Sequence, residues 1–470
     1  MSFGRYSGYK CINIDWIHDL PSSWTVKRLK YVAMARGSGV DKHRREGETE
    51  VKFLGTDTVY STSEISRTVA LNSTTASATD IKQFQVEEGD LVVTKDSVVP
   101  TRIADVSIVV QPLERTICGY HLVLIRPRNK SASPRFLFYC LKSDGANKYL
   151  LSIARGTTII GLSAQTISNS KLPVPPWSEQ IQIARFLDHE TAKIDTLIHE
   201  QKRLIELLKE KRQAVISHAV TKGLNPNVPM KESGVEWLGE VPAHWKVVPN
   251  KFLLSFVTSG SRGWAEFYSD TGELFFRITN LTRDSIRPKL DSIEYVTPPK
   301  GSEGPRAKIQ VGDILVSITA DLGSVCAADK SVEGGYVSQH VALARPQHKI
   351  CHPRWLAYFI LGDAAKEQLL GSGYGGTKIQ LSLEDVRELV VAMPPIEEQI
   401  AISKMLDYRL SRMETLIGQA KKTVTLLQER RSALISAAVT GKIDVRDWQP
   451  PADESAFDEE VHQAGMQVTV

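Results

Sequence analysis

A stretch of fourteen residues occurs twice in this chain and constrains its fold more than any other feature. The stretch "PPWSEQIQIARFLD" (175–188) returns as "PPIEEQIAISKMLD" (394–407), 219 residues later, with eight identical positions. Self-similarity at a fixed period indicates a tandem duplication. Three further segments repeat at nearly the same spacing: residues 9–26 match 230–247, residues 87–93 match 310–316, and residues 121–137 match 340–356.

Both halves show the same order of predicted elements. Short apolar runs separated by Gly, Asp, Ser and Thr predict strands joined by turns, and a short helix follows them (Phe136–Leu141; Trp355–Leu361). A glycine-threonine loop, a proline pair and a long amphipathic stretch complete each half. The predicted fold class is α+β: two mixed α/β domains in tandem repeat, separated by two long helices that pair as an antiparallel coiled coil with pseudo-twofold symmetry. The predicted boundaries are 1–176 and 223–395 for the domains, 177–222 and 396–442 for the helices, and 443–470 for an acidic, disordered tail.

The long amphipathic stretch of the first half, Ser178–Thr221, predicts one helix of 44 residues. If unbroken, it is roughly 65 Å long at 1.5 Å per residue. Its apolar residues recur at spacings near three and four, which is typical of a coiled-coil seam. A small domain cannot cover so long a seam, so we expect the two repeated helices to pair. The predicted seam residues are Leu187, Ile194, Leu197, Leu204, Leu208 and Val215 in the first helix, and Leu406, Met413, Leu416, Leu427 and Leu434 in the second.

Charge is unevenly spread, although the net charge is only +4. Residues 443–470 contain seven acidic residues and one arginine, so this tail carries −6 and residues 1–442 carry +10. A basic body favours a polyanionic partner. No apolar run approaches the ~20 residues of a membrane span, and the N-terminus lacks the apolar core of a signal peptide. The five cysteines are scattered, so we expect a cytoplasmic protein without a disulfide framework or a zinc site.

Two motifs are similar to parts of enzymes but depart from them at the residues that carry the chemistry. "VPPW" (174–177) is similar to the (Asn/Asp)-Pro-Pro-aromatic motif of amino-methyltransferases, yet Val174 has no polar group for the target amine. "GSGYGGTK" (371–378) is similar to a phosphate-binding P-loop, but its last two residues are reversed and a helical pattern replaces the preceding strand. No other catalytic or metal-binding pattern occurs. We therefore expect a chain without a catalytic centre, a metal or a bound cofactor.

The duplicated order of globular region, proline pair and long helix resembles the specificity subunit of type I restriction-modification systems. The resemblance covers residues 9 to about 442. The features that carry it are the two Trp-(x4)-Pro-(x2)-Trp openings, the "GDLVV" and "GDILV" strands, the "GTTI" and "GTKI" loops, and the two helix starts. It implies that each globular region is a target-recognition domain for one half of a split DNA site. It also implies that the helices set the distance between the half-sites and dock methyltransferase subunits.

The resemblance further implies which partners perform the chemistry. Methyltransferase subunits, typically two, use S-adenosylmethionine to methylate adenine at N6, and a restriction (translocase-nuclease) subunit joins them for cleavage. The specificity subunit itself binds double-stranded DNA and catalyses nothing. Two alternatives remain open at this point: a tandem-domain nucleic-acid-binding protein outside restriction, and a self-contained methyltransferase or nuclease with degenerate motifs.

Residues that contact DNA vary with the target in this family, so the candidates come from polar loops at matching places in the two halves. Asn can pair with adenine and Asp with cytosine, whereas Lys and Arg suit phosphates. Asp57 and Asn280 occupy matching positions, and both residue types are also common turn formers. The candidates of the first half are Lys42, Arg44, Arg45, Asp57, Lys95, Arg102, Arg155, Thr157 and Thr158. Those of the second half are Arg262, Arg277, Asn280, Tyr374, Thr377, Lys378 and Gln380.

Four tryptophans also repeat at fixed spacing beside prolines: Trp16, Trp24, Trp237 and Trp245. Indole rings can stack on bases, but repetition next to prolines favours structural packing. We predict that they belong to the core, where each domain meets a helix end.

Overall fold

The computed structural model describes residues 4–261, 263–297, 303–372 and 380–451. Contacts divide the chain into two units. Unit 1 consists of the residues up to Gln201 together with those from Lys422 onward, and unit 2 consists of Lys202–Lys421. Both units contain strands and helices in mixed order, which confirms the predicted fold class. The central helix (Trp177–Lys222) and the C-terminal helix (Ile396–Val439) each contribute one part to either unit.

Unit 1 is built on a five-stranded sheet in which the strand Leu91–Thr94 is buried at every position, as expected when both faces of a sheet are covered. The strand order is Ala33–Gly37, Leu122–Pro127, Leu91–Thr94, Val106–Val109 and Glu64–Ile65. A three-stranded sheet contains Thr116–Cys118, Thr49–Leu54 and Asn72–Ala76, and the two-stranded pairs are Tyr9–Ile14 with Ile17–Pro21, Asp96–Ser97 with Ile160–Gly161, and Thr25–Arg28 with Lys171–Val174. The short helices are Leu29–Val32, Thr56–Ser61, Ala78–Phe84, Pro100–Arg102 (3-10), Pro134–Lys142, Asp144–Ile153 and Ala164–Asn169.

Unit 2 repeats this plan with two four-stranded sheets. One four-stranded sheet has the order Leu254–Ser259, Val341–Pro346, Ile314–Ser317 and Val325–Ala327, and another has the order Tyr268–Ser269, Tyr295–Val296, Glu273–Phe276 and Tyr336–Val337. The two-stranded pairs are Met230–Glu232 with Glu240–Pro242, and Lys246–Pro249 with Val390–Met393. The helices are Asn250–Phe252, Trp264–Phe267 and Ile278–Asn280 (all 3-10), then Glu303–Arg306, Pro353–Leu361, Asp363–Ser372 and Leu383–Glu388.

A buried tryptophan in each unit contacts the start of a long helix. Trp24 in unit 1 and Trp245 in unit 2 are 0% and 1% exposed. The indole N–H of Trp24 donates to Glu179 at 2.9 Å, and that of Trp245 donates to Glu398 at 3.1 Å. This bond satisfies the polar edge of a large apolar ring. The repeated glutamate of the helix start thus has a structural role, and these two tryptophans are core residues as predicted. Of the other two, Trp16 is partly buried, and the prediction is wrong for Trp237, which is 41% exposed.

The repeated glutamine of the same motif connects the helix start to a short helix of its unit. The side-chain oxygen of Gln180 accepts from the backbone N–H of Ser133 at 2.8 Å, and its amide donates to the proline carbonyl five residues earlier. Gln399 makes the equivalent pair of bonds, accepting from the N–H of His352 at 2.7 Å. Because buried polar groups need partners, these bonds stabilise the contact: each glutamine satisfies at least two backbone groups of its unit.

The aspartate that ends the repeated stretch binds a tyrosine in both units. The hydroxyl of Tyr139 donates to Asp188 at 2.8 Å, and that of Tyr358 donates to Asp407 at 2.5 Å. An arginine four residues before each tyrosine also pairs with the same carboxylate. Burial raises the pKa of both tyrosines, so they remain neutral donors. Each long helix is therefore fastened to the short helix of its own half.

The two long helices pack against each other in both units. In unit 1, Arg431 forms a bidentate ion pair with Asp195 at 2.8 and 3.1 Å. In unit 2, Ile205, Ile417 and Ala420 form one apolar cluster. The start of the central helix shares a core with the end of the C-terminal helix in unit 1, and its end shares a core with the start of the C-terminal helix in unit 2. The helices therefore run antiparallel, as predicted.

Three of the predicted seam residues are wrong. Leu197, Leu204 and Leu416 are 47%, 42% and 49% exposed, and the isoleucine that follows each of them is buried instead. Consecutive residues lie about 100° apart around a helix, so an error of one position moves a side chain off the seam. The other predicted seam residues are buried or partly buried: Leu187, Ile194, Leu208, Val215, Leu406, Met413, Leu427 and Leu434.

The predicted disordered tail begins too early. Val445 is 1% exposed, and the ring of Trp448 packs edge-on against Phe186 with centroids 5.2 Å apart. The side-chain amide of Gln182 donates to the carbonyls of both Val445 and Trp448. Apolar residues among the acids thus keep 443–451 on unit 1, and the rest of the predicted tail lies outside the described residues.

Candidate nucleic-acid interface

Two loops that the sequence analysis selected meet in unit 1. Ser97 pairs with Ile160 and Asp96 pairs with Gly161 in a short antiparallel ribbon. The backbone N–H of Leu162 also donates to the carbonyl of Lys95 at 2.7 Å. Residues 95–102 and 155–161 thereby form one surface, here named the ribbon surface. It brings together five predicted contact residues: Lys95, Arg102, Arg155, Thr157 and Thr158.

The glycine-threonine loop of the ribbon surface is a closed turn. The backbones of Arg155 and Gly161 exchange two hydrogen bonds of 3.0 and 2.8 Å. Gly156 has φ +131°, and a Cβ there would lie 2.0 Å from the carbonyl oxygen of Ile159, so only glycine fits. The turn leaves Arg155, Thr157 and Thr158 exposed. Guanidinium and hydroxyl groups displayed in this way can reach phosphates and base edges.

Lys95 is paired within the protein. Its ammonium lies 2.5 Å from the carboxylate of Asp96, and Nδ1 of His121 lies 3.2 Å from the same carboxylate. The ring of Tyr120 lies against His121 with centroids 3.7 Å apart. The side chain of Lys95 is 22% exposed. It therefore contributes less free positive charge to the surface than the sequence predicts.

Arg102 connects the ribbon surface to the short helix Thr56–Ser61. Its guanidinium lies 4.9 Å from the ring centroid of Tyr60, whose hydroxyl is 3.2 Å from that of Ser97. Nη1 of Arg102 is 3.3 Å from Asp105, and about half of the side chain (48%) remains exposed. Asp57 is exposed in the first turn of the same helix. Residues three apart share a helix face, so Asp57 lies on the side of the helix that carries Tyr60.

Large apolar side chains are also exposed beside the ribbon. Val98, Val99, Tyr120 and Ile159 are 72%, 47%, 38% and 54% exposed. Apolar groups next to cations suit contacts with thymine methyl groups and sugars. They are absent from the predicted contact residues because the β-branched Val98, Val99 and Ile159 stand in strand-like runs, which are typical of buried core. The "VVP" that follows Ser97 was the available signal, since proline ends a strand.

The charged loop 42–45 is separate from the ribbon surface. Arg44 pairs with Glu50 at 3.2 Å and Arg45 pairs with Asp41 at 2.7 Å, while Lys42 is exposed. This loop precedes the strand Thr49–Leu54, whereas the helix with Asp57 follows that strand. A six-residue strand is about 20 Å long. The structure therefore does not bring the loop 42–45 together with the other candidates of unit 1.

The matching loops of unit 2 also meet. Thr319 forms an isolated bridge with Gln380, and the backbone N–H of Leu381 donates to the carbonyl of Ile318 at 2.9 Å. Gln380 is exposed, as a contact residue requires. Four further candidates of this half lie outside the described residues: Arg262, Tyr374, Thr377 and Lys378.

The prediction that Asn280 contacts DNA is wrong. Asn280 is 1% exposed, and its amide donates to the carbonyls of Lys289 and Ser292, both at 2.9 Å. Its side-chain oxygen accepts from the backbone N–H of Arg277 at 2.9 Å. The amide thus closes the loop that follows it. The side chain of Arg277 is 25% exposed and pairs with Glu294 at 3.3 Å, so it is only partly available.

The loop that Asn280 closes carries basic residues that the sequence analysis missed. Arg283, Arg287 and Lys289 are all exposed. Nε of Arg283 lies 2.7 Å from Asp321, which belongs to the loop after the strand Ile314–Ser317. The available signal was three basic residues within seven positions, "RDSIRPK" (283–289), which begins three residues after Asn280. Their clustering suits a phosphate backbone.

Comparison with known proteins gives this architecture a family. The model of the type I restriction modification DNA specificity domain matches residues 21–207 and 303–425, more than half of the chain. The chain belongs to this family. It is thus a type I restriction-modification specificity subunit, as the resemblance predicted.

Relatives of this specificity subunit match it over most of its length. A protein assigned as the MjaX type I restriction enzyme specificity subunit of Methanocaldococcus jannaschii is 23% identical over 435 residues, which cover 92% of this chain and 96% of that protein. The EcoBI specificity subunit of Escherichia coli is 22% identical over 374 residues, 78% of this chain and 77% of that protein.

Solved structures have the same fold. A chain from a structural study of the assembly and conformational transition of a type I restriction-modification system matches with TM-score 0.70 at 18% identity, covering 90% of this chain and 99% of that one. The HsdS subunit of Thermoanaerobacter tengcongensis matches with TM-score 0.52 at 19% identity, covering 90% and 98%. In the described part of this specificity subunit, no three His, Cys, Asp or Glu residues are grouped to hold a metal ion. None of its described helices has the length and apolarity that crossing a membrane requires.

Proposed function

We propose that each unit reads one half of a split DNA target and that the chain itself catalyses no step. A contrast between scaffold and surface supports this most strongly. The tryptophan, glutamine and aspartate contacts at the helix starts are the same in both units. The exposed residues of the ribbon surface differ in type from the residues at the repeated positions of unit 2. One scaffold with two different surfaces suits two different half-sites.

The groups of the ribbon surface suit different parts of a duplex. Arg102 and Arg155 offer guanidinium donors to phosphate oxygens, which position a protein without reading sequence. Thr157 can bond base edges, and Asp57 can accept from N4 of cytosine. The exposed methyl groups of Val98 suit the methyl group of thymine. Each wrong base pair costs roughly 1–3 kcal/mol, so two readers together discriminate far better than one.

Exposed leucines on the long helices support docking of partner subunits. In unit 1, Leu197 and Leu426 are 47% and 63% exposed, and in unit 2, Leu416 and Leu207 are 49% and 51% exposed. Leu416 follows Leu197 by 219 residues and Leu426 follows Leu207 by the same number. An exposed apolar position kept in both copies of a duplication favours a surface that is used twice. We assign these surfaces to two methyltransferase subunits, one for each unit.

The partners then supply the chemistry in the cytoplasm. The methyltransferase subunits carry S-adenosylmethionine and methylate adenine at N6, and a restriction subunit joins for cleavage, while this chain binds no cofactor. The paired helices set the gap between the half-sites. A stiff spacer suits this role because it loses less entropy on binding than a flexible linker.

Exchange of one domain tests the reading of half-sites. Replacing residues 1–176 by the matching region of a relative should change one half of the methylated sequence and leave the other half intact. Replacing residues 223–395 should change only the other half. Methylation-sensitive long-read sequencing of DNA from cells with the complete system measures both. Loss of both halves in either chimera would contradict two separate readers.

Introducing negative charges on the helices tests the docking surfaces. The double variant Leu197→Glu/Leu426→Glu should leave one methyltransferase subunit bound per chain, measured by native mass spectrometry of the co-expressed complex. Leu224→Glu is the control, because Leu224 is 42% exposed but has no leucine at the repeated position. Two bound subunits in the double variant would reject these leucines as the surface. A wild-type chain that binds no methyltransferase would reject the proposed docking of these subunits.

Lengthening the helices tests the spacer. One heptad inserted after Gln201 and one after Ala420 preserve the seam and lengthen each helix by about 10 Å. At roughly 3.4 Å per base pair, the gap in the target should grow by up to about three base pairs. An active complex with an unchanged gap would show that the helices do not set the spacing.

A further inference from the structure

A polar cavity of about 380 Å³ adjoins the ribbon surface in unit 1. Tyr60 and Arg102 belong to its wall and also to the candidate DNA interface. Lys142, the last residue of the helix Pro134–Lys142, also lines the cavity. The other polar residues that line the cavity are Ser61, Thr62, Ser63, Asp105, Asp144, Asn147 and Ser432.

Lys142 is a half-buried cation without a carboxylate partner. Its ammonium donates to the hydroxyl of Ser63 and lies 5.1 Å from the ring centroid of Phe138. Among the residues that the structure describes, no carboxylate oxygen comes within 4 Å of it. Burial lowers the pKa of Lys142 to about 8, and the nearby charge of Arg431 lowers it further. Asp105, Asp195 and Glu64 act in the opposite direction from a distance.

The two carboxylates on the cavity wall already have cationic partners. Asp105 lies 3.3 Å from Nη1 of Arg102, and Asp144 lies 2.8 Å from the ammonium of Lys148. Lys142 is therefore a charged residue of this wall whose hydrogen-bond partner is a neutral hydroxyl, whereas the two carboxylates have cationic partners. A buried cation in such a setting is costly unless an anion joins it.

The equivalent place in unit 2 contains its own carboxylate. A smaller cavity of about 200 Å³ is lined by Arg212, Asp284 and Leu361. Leu361 follows Lys142 by the repeat spacing of 219 residues. The side chain of Arg212 is 9% exposed, and its guanidinium pairs with Asp284 at 2.5 Å. In unit 1 the corresponding loop is "STS" (61–63), which has hydroxyls and no carboxylate.

We propose that the Lys142 cavity of unit 1 binds a phosphate-type oxyanion, which takes the place that Asp284 has in unit 2. The ligand chemistry is a tetrahedral oxyanion that only accepts hydrogen bonds. The phosphodiester of bound DNA and free inorganic phosphate both supply it. Tyr60 and Arg102 belong both to the cavity wall and to the candidate DNA interface, which favours the phosphate of bound DNA. This choice of DNA as the source of the anion rests on the proposed function.

The donors around the cavity match such a ligand. The ammonium of Lys142 and the hydroxyl of Ser63 lie together, and the guanidinium of Arg102 enters the wall from the ribbon side. The side-chain amide of Asn147 uses one hydrogen on the carbonyl of Ala104 and keeps the other. Charge-assisted hydrogen bonds to phosphate are the stronger kind in proteins. An oxyanion bound in the cavity would also keep Lys142 charged above pH 8, because an adjacent anion favours the protonated form.

Inorganic phosphate added to the full-length chain tests the cavity. At pH 7 and constant ionic strength, phosphate should raise the melting temperature of the wild type with a saturable dependence on concentration. Lys142→Met removes the charge and keeps the length of the side chain, so it should weaken phosphate binding at least about tenfold. The matched control is Lys82→Met, because Lys82 is an exposed lysine in the last turn of another helix of unit 1. This control should respond to phosphate as the wild type does.

A second variant keeps the test decisive if Lys142→Met unfolds the chain. Ser63→Ala removes one neutral donor and leaves the cation, so phosphate should bind several-fold more weakly without loss of the fold. An equal response of the wild type, both cavity variants and the control to phosphate would overturn the proposal.

Binding to a short duplex identifies the source of the anion. If a DNA phosphate occupies the cavity, the slope of log K against log salt should fall by about 0.9 in Lys142→Met relative to Lys82→Met. Free phosphate should then compete with DNA in the wild type and in Lys82→Met, but not in Lys142→Met. A phosphate-dependent melting shift with unchanged DNA slopes would assign the cavity to free phosphate. Failure of the chain to read a split site would refute the proposed function alone, since the melting shift decides the cavity without DNA.

Discussion

The end of the central helix in unit 2 and the end of the C-terminal helix in unit 1 have similar sequences but different polar contacts. "RQAVISHAVT" (212–221) aligns with "RSALISAAVT" (431–440) at the repeat spacing. In unit 2, Arg212 pairs with Asp284, and Ser217 donates to Asp363 at 2.8 Å, so the helix end is bonded to its domain. In unit 1, Arg431 pairs with Asp195 of the central helix.

The cavities of the two units also differ, because the aligned helix ends carry different side chains. Gln213 donates to Asp363 at 2.8 Å and lines the cavity of about 200 Å³ in unit 2. The matching Ser432 of unit 1 is too short for this contact and lines the cavity of about 380 Å³. Ser436, which matches Ser217, lines another cavity of about 860 Å³. The cavity beside this helix position is thus larger in the copy with the shorter side chain.

This difference shows which contacts a duplicated fold must keep. The buried tryptophans, the glutamine caps and the tyrosine–aspartate bonds at the helix starts are the same in both units. Each of them satisfies a buried group that has no access to water, and loss of such a contact is costly. The ends of the helices border solvent and cavities, where an alternative partner is available. Polar contacts there have diverged between the copies.

Removal of the repeated tryptophans should produce the largest effect and test whether the helix starts are equivalent. Trp24→Ala and Trp245→Ala should each lower the free energy of unfolding by about 3–5 kcal/mol, because both leave a large cavity in the core. Urea unfolding followed by circular dichroism measures the change. Trp237→Ala is the control, since Trp237 is 41% exposed, and should cost far less. A loss in one variant more than twice that in the other would break the equivalence.

Alanine substitution of the matched residues Asn280 and Asp57 should give the next largest difference in the free energy of unfolding. Asn280→Ala leaves two carbonyls and one N–H without their partner, so the free energy of unfolding should fall by about 3 kcal/mol. Asp57→Ala changes an exposed residue and should alter stability by at most about 0.5 kcal/mol. Asp57→Ala should instead change base preference in one half-site, read from methylation sequencing. A stable Asn280→Ala chain with altered preference would restore Asn280 as a contact residue.

The pH dependence of stability should reveal the cost of the Lys142 charge in unit 1, because unit 2 has the neutral Leu361 at the repeated position. Its pKa is lowered from 10.5 to about 8 in the folded chain, so between these values the unfolded chain holds a proton that the folded chain lacks. Stability of the wild type should therefore rise as the pH increases from 8 to 10.5, and the penalty is fully present below pH 8. Without phosphate at pH 7, Lys142→Met should be more stable than the wild type by about 2 kcal/mol. An advantage that persists unchanged at pH 10.5 would contradict the lowered pKa.

The two matched arginines should show the smallest difference. Arg212→Ala removes a buried guanidinium from Asp284 and should lower the free energy of unfolding by about 1.5 kcal/mol. Arg431→Ala removes a guanidinium side chain that is 22% exposed, against 9% for Arg212, and should cost only about 0.5 kcal/mol because solvent screens the more exposed cation. Thermal unfolding of both variants in low and high salt measures this. A larger loss for Arg431 would place the stronger helix contact in unit 1.

The repeat allowed much of the fold to be predicted, because a second copy acts as an internal comparison. It located the helix starts, the paired strands and the buried tryptophans, all of which recur in both units. The seam was predicted less well, since Leu197 and its neighbour Ile198 are equally apolar and only the partner helix decides which of them is covered. The candidate site was predicted in part. The loops around Lys95 and Arg155 do meet, but the ion pair of Lys95 with Asp96 could not be read from the sequence.

The sequence by itself determined the features that act over a few residues. The proline pairs end one element and start the helices, the period of apolar residues directs one face inward, and Gly156 permits a turn that no other residue allows. Only the tertiary structure decided that Asp57 is exposed while the aligned Asn280 is buried, and that Arg431 pairs with Asp195. Steric and periodic rules operate locally, whereas burial and ion pairing depend on groups that the fold brings together from distant parts of the chain.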